Sequence, residues 1–210
     1  MSRDLKILCV SYRRVQDSFI LKPVDYDIKR AYLRFIERYC PPSWRLIYID
    51  EKGPIYSIRY SGHTWSFNQQ YRDVRQPTRR KVNFLGGYDP KVKKLSMIPM
   101  EGNASTYFCD AFDLIRLEFL TTDYTKLLIV LDNARIHTSR ETLKYLNEDK
   151  RIEYFFLSAY SPELNPIEIC FRNYSKEILE NGSFFSKEDI IEETNIYCDY
   201  YQTLRTEIYA

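Results

Sequence analysis

No apolar run in the chain is long enough to span a bilayer. No amino-terminal signal peptide is expected either, since Met1–Ser2–Arg3–Asp4 leads into only a brief apolar stretch. The expected compartment is the cytoplasm. Paired cysteines are missing as well. Cys9, Cys40, Cys109, Cys170 and Cys198 are scattered, none forms a Cys-x-x-Cys unit, and only His63 and His137 could join them. That argues against a structural zinc site and for buried free thiols. A strong charge of either sign is absent too. The 31 Lys and Arg against 29 Asp and Glu leave a formal charge of +2, so the overall balance does not point to a polyanionic partner. Repeats and low-complexity tracts are also lacking.

What is present suits one globular domain. The chain has 210 residues, 44% of them hydrophobic and 29% charged, which is ordinary composition and enough length for a sizeable core. Positive charge does gather locally, in Arg72, Arg75, Arg79, Arg80 and Lys81 and again in Lys91, Lys93 and Lys94.

Periodicity predicts an amphipathic helix over 27–39, with Ile28, Tyr32, Phe35, Ile36 and Tyr39 on one stripe, stopped by Cys40–Pro41–Pro42. Strands are expected at 45–50, at 54–60 and 63–67 around Ser61–Gly62, at 81–88 and at 94–99. A helix follows at 105–120, with Phe108, Phe112, Ile115 and Phe119 at helical spacing. Leu127–Leu131 has no polar alternation and reads as a central strand covered on both faces. Thr138–Ser139–Arg140–Glu141 fits a capping box for a helix to about Glu148. A strand at 152–157 comes next, then a helix capped by Asn165 with Pro166 in its first turn. A final helix opens at Ser186, with Ile190, Tyr197, Tyr201, Leu204 and Ile208 on one stripe. Strands first, then helix and strand in alternation, give an α/β class: a mixed sheet flanked by helices.

Three acids stand where such a sheet builds its sites. Asp50 ends Leu46–Ile47–Tyr48–Ile49, Asp132 ends the apolar run, and Glu168 lies just inside a helix start. Strand alternation puts Asp50 on the face of Leu46 and Tyr48, and Glu51 on the opposite one. Converging carboxylates can hold two divalent metals, which suits phosphodiester chemistry. Each acid has a plainer role open to it. Asp50 could simply end a strand, Asp132 could start an Asx turn, and Glu168 could serve a capping box from Asn165.

Asp50, the segment Leu131–Asp132–Asn133–Ala134–Arg135–Ile136–His137 and the string Ser161–Pro162–Glu163–Leu164–Asn165–Pro166–Ile167–Glu168 together resemble the catalytic half of DDE transposases. The likeness is to the prokaryotic insertion-sequence relatives of the mariner superfamily. Glu168 follows Asp132 at a spacing that suits that family, and Phe84–Leu85–Gly86–Gly87–Tyr88–Asp89–Pro90 resembles its central strand and turn.

The resemblance implies a ribonuclease H-like fold and a metal-dependent DNA endonuclease that also transfers strands. Asp50, Asp132 and Glu168 would be both the catalytic residues and the ligands of a two-metal Mg²⁺ or Mn²⁺ site. Asp50 and Asp132 would share one ion, and Glu168 with one of them would hold the other. Asn133, His137, Arg79, Arg80 and Lys81 are candidates for DNA contact. Expected partners are transposon ends and target DNA, a separate helix-turn-helix module and a second copy in a paired-end dimer, with no membrane and with a place on the nucleoid. Residues 1–40 read as a linker and short helix, the tail of a missing DNA-binding region, and 41–210 as the catalytic domain with its C-terminal helix. Phe171 and Ser175–Lys176 stand where the family has Trp and Lys, and Leu157–Tyr160 lacks prolines common there. The alternative is a non-catalytic remnant or DNA-binding subunit that keeps the fold. Clustered carboxylates repel, so removing the charge of Asp132 is expected to stabilise the metal-free chain.

Overall fold

The computed structural model describes residues 22–56, 81–180, 184 and 186–207. Five strands form one mixed sheet: β1 Trp44–Tyr56, β2 Lys81–Asp89, β3 Lys94–Met100, β4 Lys126–Leu131 and β5 Ile152–Phe156, in the order β3-β2-β1-β4-β5. β1, β2 and β3 pair antiparallel, while β1, β4 and β5 run parallel. Strands 45–50, 81–88, 94–99 and 152–157 fall where periodicity puts them, to within a residue or two except that β1 runs on to Tyr56. The hairpin expected at 54–60 and 63–67 lies outside the described residues beyond Tyr56, as do Arg72, Arg75, Arg79 and Arg80.

Helices cover both faces. On one lie α1 Tyr26–Tyr39, α5 Ile167–Tyr174 and α6 Lys187–Glu207; Leu33, Ile167, Phe171, Tyr174, Ile190, Tyr197 and Tyr201 pack there with Tyr48, Phe84 and Val130 of the sheet. On the other lie α2 Ser105–Phe119, the short α3 Arg135–Thr138 and α4 Arg140–Glu148; Phe108, Phe112, Ile115, Phe119 and Leu146 pack there with Ile47, Ile49, Leu85, Ile129 and Leu131. β4 contributes to both cores, which is why its sequence never alternates.

Three local readings change. In α1 the core face is Tyr26, Leu33 and Ile36, whereas Ile28, Tyr32, Phe35 and Tyr39 of the expected stripe are exposed. The cap of α4 is Ser139, whose Oγ accepts from Thr142 N at 3.1 Å; Thr138 instead closes α3, so Glu141 is one position too early for a capping box. Asn165 ends a single 3-10 turn, Pro162–Leu164, and α5 begins after Pro166 without any side-chain cap. Ser186 does open α6: its Oγ accepts from Asp189 N at 3.0 Å and its N–H donates back to Asp189 at 3.2 Å. Ile190, Tyr197 and Tyr201 of the final stripe are buried. The Leu204 side chain and Ile208 lie outside the described residues.

Candidate active site

The parallel pairing of β1 with β4 matches Tyr48 to Val130. Two residues further along each chain stand Asp50 and Asp132, on the face covered by α1, α5 and α6. Asp50 is also opposite Gly86 of β2. A Cβ on Gly86 would sit 2.6 Å from the Phe171 ring and 2.9 Å from Ile167. The missing side chain thus lets α5 lie against the sheet beside Asp50, and α5 carries Glu168. Asp50, Asp132 and Glu168 line one cavity of about 360 Å³, with Asn133, Ala134, Asn165 and the 157–162 turn completing its wall.

The two aspartates are held very differently. Asp132 Oδ1 accepts from Ala134 N at 2.8 Å, the expected Asx turn, and lies 2.7 Å from His137 Nδ1. Burial works to raise the Asp132 carboxyl, but the His137 and Ala134 hydrogen bonds override it and hold the group below the usual range. Asp50 accepts from Glu51 N at 2.8 Å and from Asn165 Nδ2 at 3.0 Å. Burial, then the charges of Asp132, Glu168 and Glu51, push its carboxyl up to about 7. Lys52, two positions on from Asp50, is pulled below its usual value by burial, against the opposing pull of Glu168 and Asp50.

His137 is fully buried, and its Nε2 lies 2.7 Å from Glu51 Oε1 on the opposite face from Asp50. Burial would strip its proton, yet the carboxylates of Asp132 and Glu51 hold its pKa at about 10. With both nitrogens engaged and no exposed surface, His137 has nothing to offer DNA. The contact expected from sequence is replaced by an internal bridge. Asn133 is exposed, and its Nδ2 donates to Leu157 O at 2.6 Å, which ties the start of α3 to the 157–162 turn. Lys81 is exposed at the start of β2, and Arg79 and Arg80 lie outside the described residues.

Sequence reasoning missed two residues. Alternation puts Glu51 on the face opposite Asp50, but nothing local in the sequence shows that it meets His137. The sequence predicts Asn165 as a helix cap. It is instead 3% exposed and aimed at Asp50, and its Oδ1 has no hydrogen-bond partner among the described residues. Among the described residues no three His, Cys, Asp or Glu groups are drawn together tightly enough to enclose an ion.

Residues 45–191 match the family model for the DDE superfamily endonucleases. An uncharacterized 39 kDa protein of insertion element IS630 from Shigella sonnei is 22% identical over 191 residues, 90% of this chain but 55% of that protein. Among solved structures, the Mos1 transposase paired-end complex with left transposon end superposes with a TM-score of 0.63 at 18% identity, covering 95% of this chain and 63% of the other. The catalytic domain of Mos1 mariner transposase gives 0.59 at 16% identity, covering 90% of each chain. A Mos1 paired-end complex with Mg gives 0.61 at 16% identity, covering 93% of this chain and 61% of the other. These likenesses show a common fold, the ribonuclease H-like mixed sheet flanked by helices. This chain therefore spans little more than half the length of the IS630 protein it matches.

Proposed function

The chain belongs to the DDE superfamily endonucleases, and from that premise we propose that it is the catalytic part of a transposase, cleaving DNA and transferring the cut strand at a divalent-metal site held by Asp50, Asp132 and Glu168. One observation carries this reading: all three acids line the same cavity, where burial and then the charges of Asp132 and Glu168 push Asp50 up to about 7. Catalytic acids tend to occupy such unbalanced settings.

The donor set fits the metal. Mg²⁺ and Mn²⁺ favour oxygen ligands, and the cavity offers three carboxylates together with the buried Oδ1 of Asn165, which has no partner among the described residues. When bound, a pair of such ions activates the attacking water or sugar hydroxyl and stabilises the leaving oxygen. The protein's own work is positional. Asp132 is held in its charged form by His137. The Asn165 amide keeps Asp50 oriented while the carboxyl awaits neutralisation. The packing of α5 through Gly86 brings in Glu168 from a separate element. Asn133, exposed at the cavity rim, keeps one amide hydrogen beyond its bond to Leu157 O and would offer it to a phosphate oxygen. DNA ends and target as partners, a separate helix-turn-helix module, a paired-end dimer and a place on the cytoplasmic nucleoid follow from this reading, whereas the expected boundary at 40/41 does not, because Leu33 of α1 packs into the core beside Tyr48. The Mos1 complexes support it in kind.

The test is nicking of duplex DNA by the chain with Mn²⁺, supplied with an end-binding module where needed. Wild-type protein is expected to cut, while Asp132→Asn and Glu168→Gln are expected to be inactive though folded. Equal activity in Glu168→Gln would remove Glu168 from the site. A folded wild-type chain that binds Mn²⁺ and DNA but never cuts would favour the non-catalytic alternative.

A further inference from the structure

His137 joins two acids that the sheet keeps on opposite faces. Its Nδ1 is 2.7 Å from Asp132 Oδ1, and its Nε2 is 2.7 Å from Glu51 Oε1. Two ring nitrogens facing two carboxylates must both donate, which only the cationic imidazole does. The ring is sealed from solvent and lies against Phe108, with centroids 5.2 Å apart. It therefore has little room to turn. Ala134 N–H also donates to Asp132 Oδ1, at 2.8 Å. Every hydrogen bond to the Asp132 carboxylate among the described residues thus falls on one oxygen, and the side chain remains 45% exposed toward the cavity.

We propose that His137 is the positioning residue of Asp132: it ties up Oδ1 so that Oδ2 is presented to the cavity, and Glu51 fixes the imidazole from the far face. The proposal rests on the reading of Asp132 as a metal ligand. A ligand's outer partners fix its orientation, and losing one commonly weakens metal binding about 10–100-fold. The spacing that builds this device is visible in the sequence: a second acid directly after Asp50, and a histidine five positions after Asp132.

Two pairs of variants separate positioning from packing and from bulk charge. Asparagine carries its amide nitrogen two bonds from Cβ, as Nδ1 is in histidine; glutamine carries its own three bonds away, as Nε2 is. His137→Asn therefore keeps the donor to Asp132, and His137→Gln keeps only the donor to Glu51. Glu51→Gln keeps an acceptor for Nε2–H, and Glu51→Ala removes it, although both remove the same charge. The readout is Mn²⁺ affinity of the full chain from the electron paramagnetic resonance of free Mn²⁺, normalised to the folded fraction by circular dichroism. His137→Gln should bind about tenfold more weakly, while His137→Asn stays within about twofold of wild type. Glu51→Ala should lose affinity that Glu51→Gln retains.

Equal losses within each pair would overturn the proposal, because packing defects and lost charge do not distinguish these variants. Wild-type affinity in His137→Gln would overturn it as well. Should both His137 variants fail to fold, the Glu51 pair, at a side chain 23% exposed, decides by the same rule. Asp132→Asn serves as the control. If it binds Mn²⁺ as tightly as wild type, the metal site itself falls and the proposal with it. If it loses binding while His137→Gln keeps it, only the positioning role falls.

Discussion

Arg45 and Asp50 lie five residues apart on β1 and occupy opposite electrostatic settings. Arg45 is 9% exposed, donates to Asp89 at 2.7 Å and to Phe119 O at 3.1 Å, and lies over the rings of Phe119 and Tyr124. The other oxygen of Asp89 accepts from Lys91 N and Val92 N, so both charges are answered from every side. Asp50 has a backbone N–H and a neutral amide, and among the described residues no cation is hydrogen-bonded to it. The first end of the strand is finished and has nothing left to bind. The second carries an excess of negative charge that folding alone does not call for. A buried charge with its partner in place marks structure; a buried charge still owed a partner marks a site.

The comparison predicts effects of different size and kind. The largest should come from Asp89→Ala, which leaves Arg45 buried and unpaired and should cost about 3–5 kcal/mol in denaturant unfolding. Mn²⁺ affinity of the folded fraction should not change. A cost under about 1 kcal/mol, the size typical of an exposed ion pair, would mean that Arg45 escapes to water and that the two ends are less different than drawn.

Gly86→Ala should come next, at about 1–3 kcal/mol, because the new methyl meets the Phe171 ring. This loss should be accompanied by weaker Mn²⁺ binding, since α5 must shift and carry Glu168 with it. Stability lost without any change in binding would show that Glu168 does not depend on this contact.

The two aspartates of the acidic end should then move in opposite directions. Repulsion alone predicts that Asp132→Asn stabilises the metal-free chain. His137 reverses that sign: the variant loses a charge-assisted bond and should be destabilised by about 1–2 kcal/mol at neutral pH, allowing for its half-exposed side chain. Asp50→Asn should instead gain about 1–2 kcal/mol at pH 8 without metal. The folded carboxyl of Asp50 sits at about 7 against an ordinary 3.8. An acid raised on folding contributes stability below its unfolded pKa and loses it as pH rises through the folded one. Metal-free wild type should therefore weaken relative to Asp50→Asn between about pH 4 and 7, then run parallel to it above. Urea melts across that range measure this. A difference that grows toward acid pH would contradict it.

Much of this was legible in the sequence, for reasons visible in particular residues. The unbroken Leu127–Leu131 run could only be a strand covered twice, and Asp132 therefore had to stand at its end. What escaped was long-range. His137 and Glu51 are 86 positions apart, and Asn165 and Asp50 are 115 apart. No local pattern tells a capping asparagine from one that reaches across to another strand. The exposed stripe of α1 escaped as well, because Tyr26 and Leu33 compete with it for the sheet and only its Ile36 is buried with them.

The central claim is that the acidic end of the sheet is unbalanced because it holds divalent metal. Thermal melting of the chain with and without Mn²⁺, for wild type and for Glu168→Gln side by side, tests it most directly. Binding to the folded state alone stabilises that state by mass action. Mn²⁺ should raise the melting temperature of wild type, and Glu168→Gln should lose most of that rise while melting without metal at least as high as wild type. An equal rise in both proteins, or none in wild type at saturating Mn²⁺, would contradict the account.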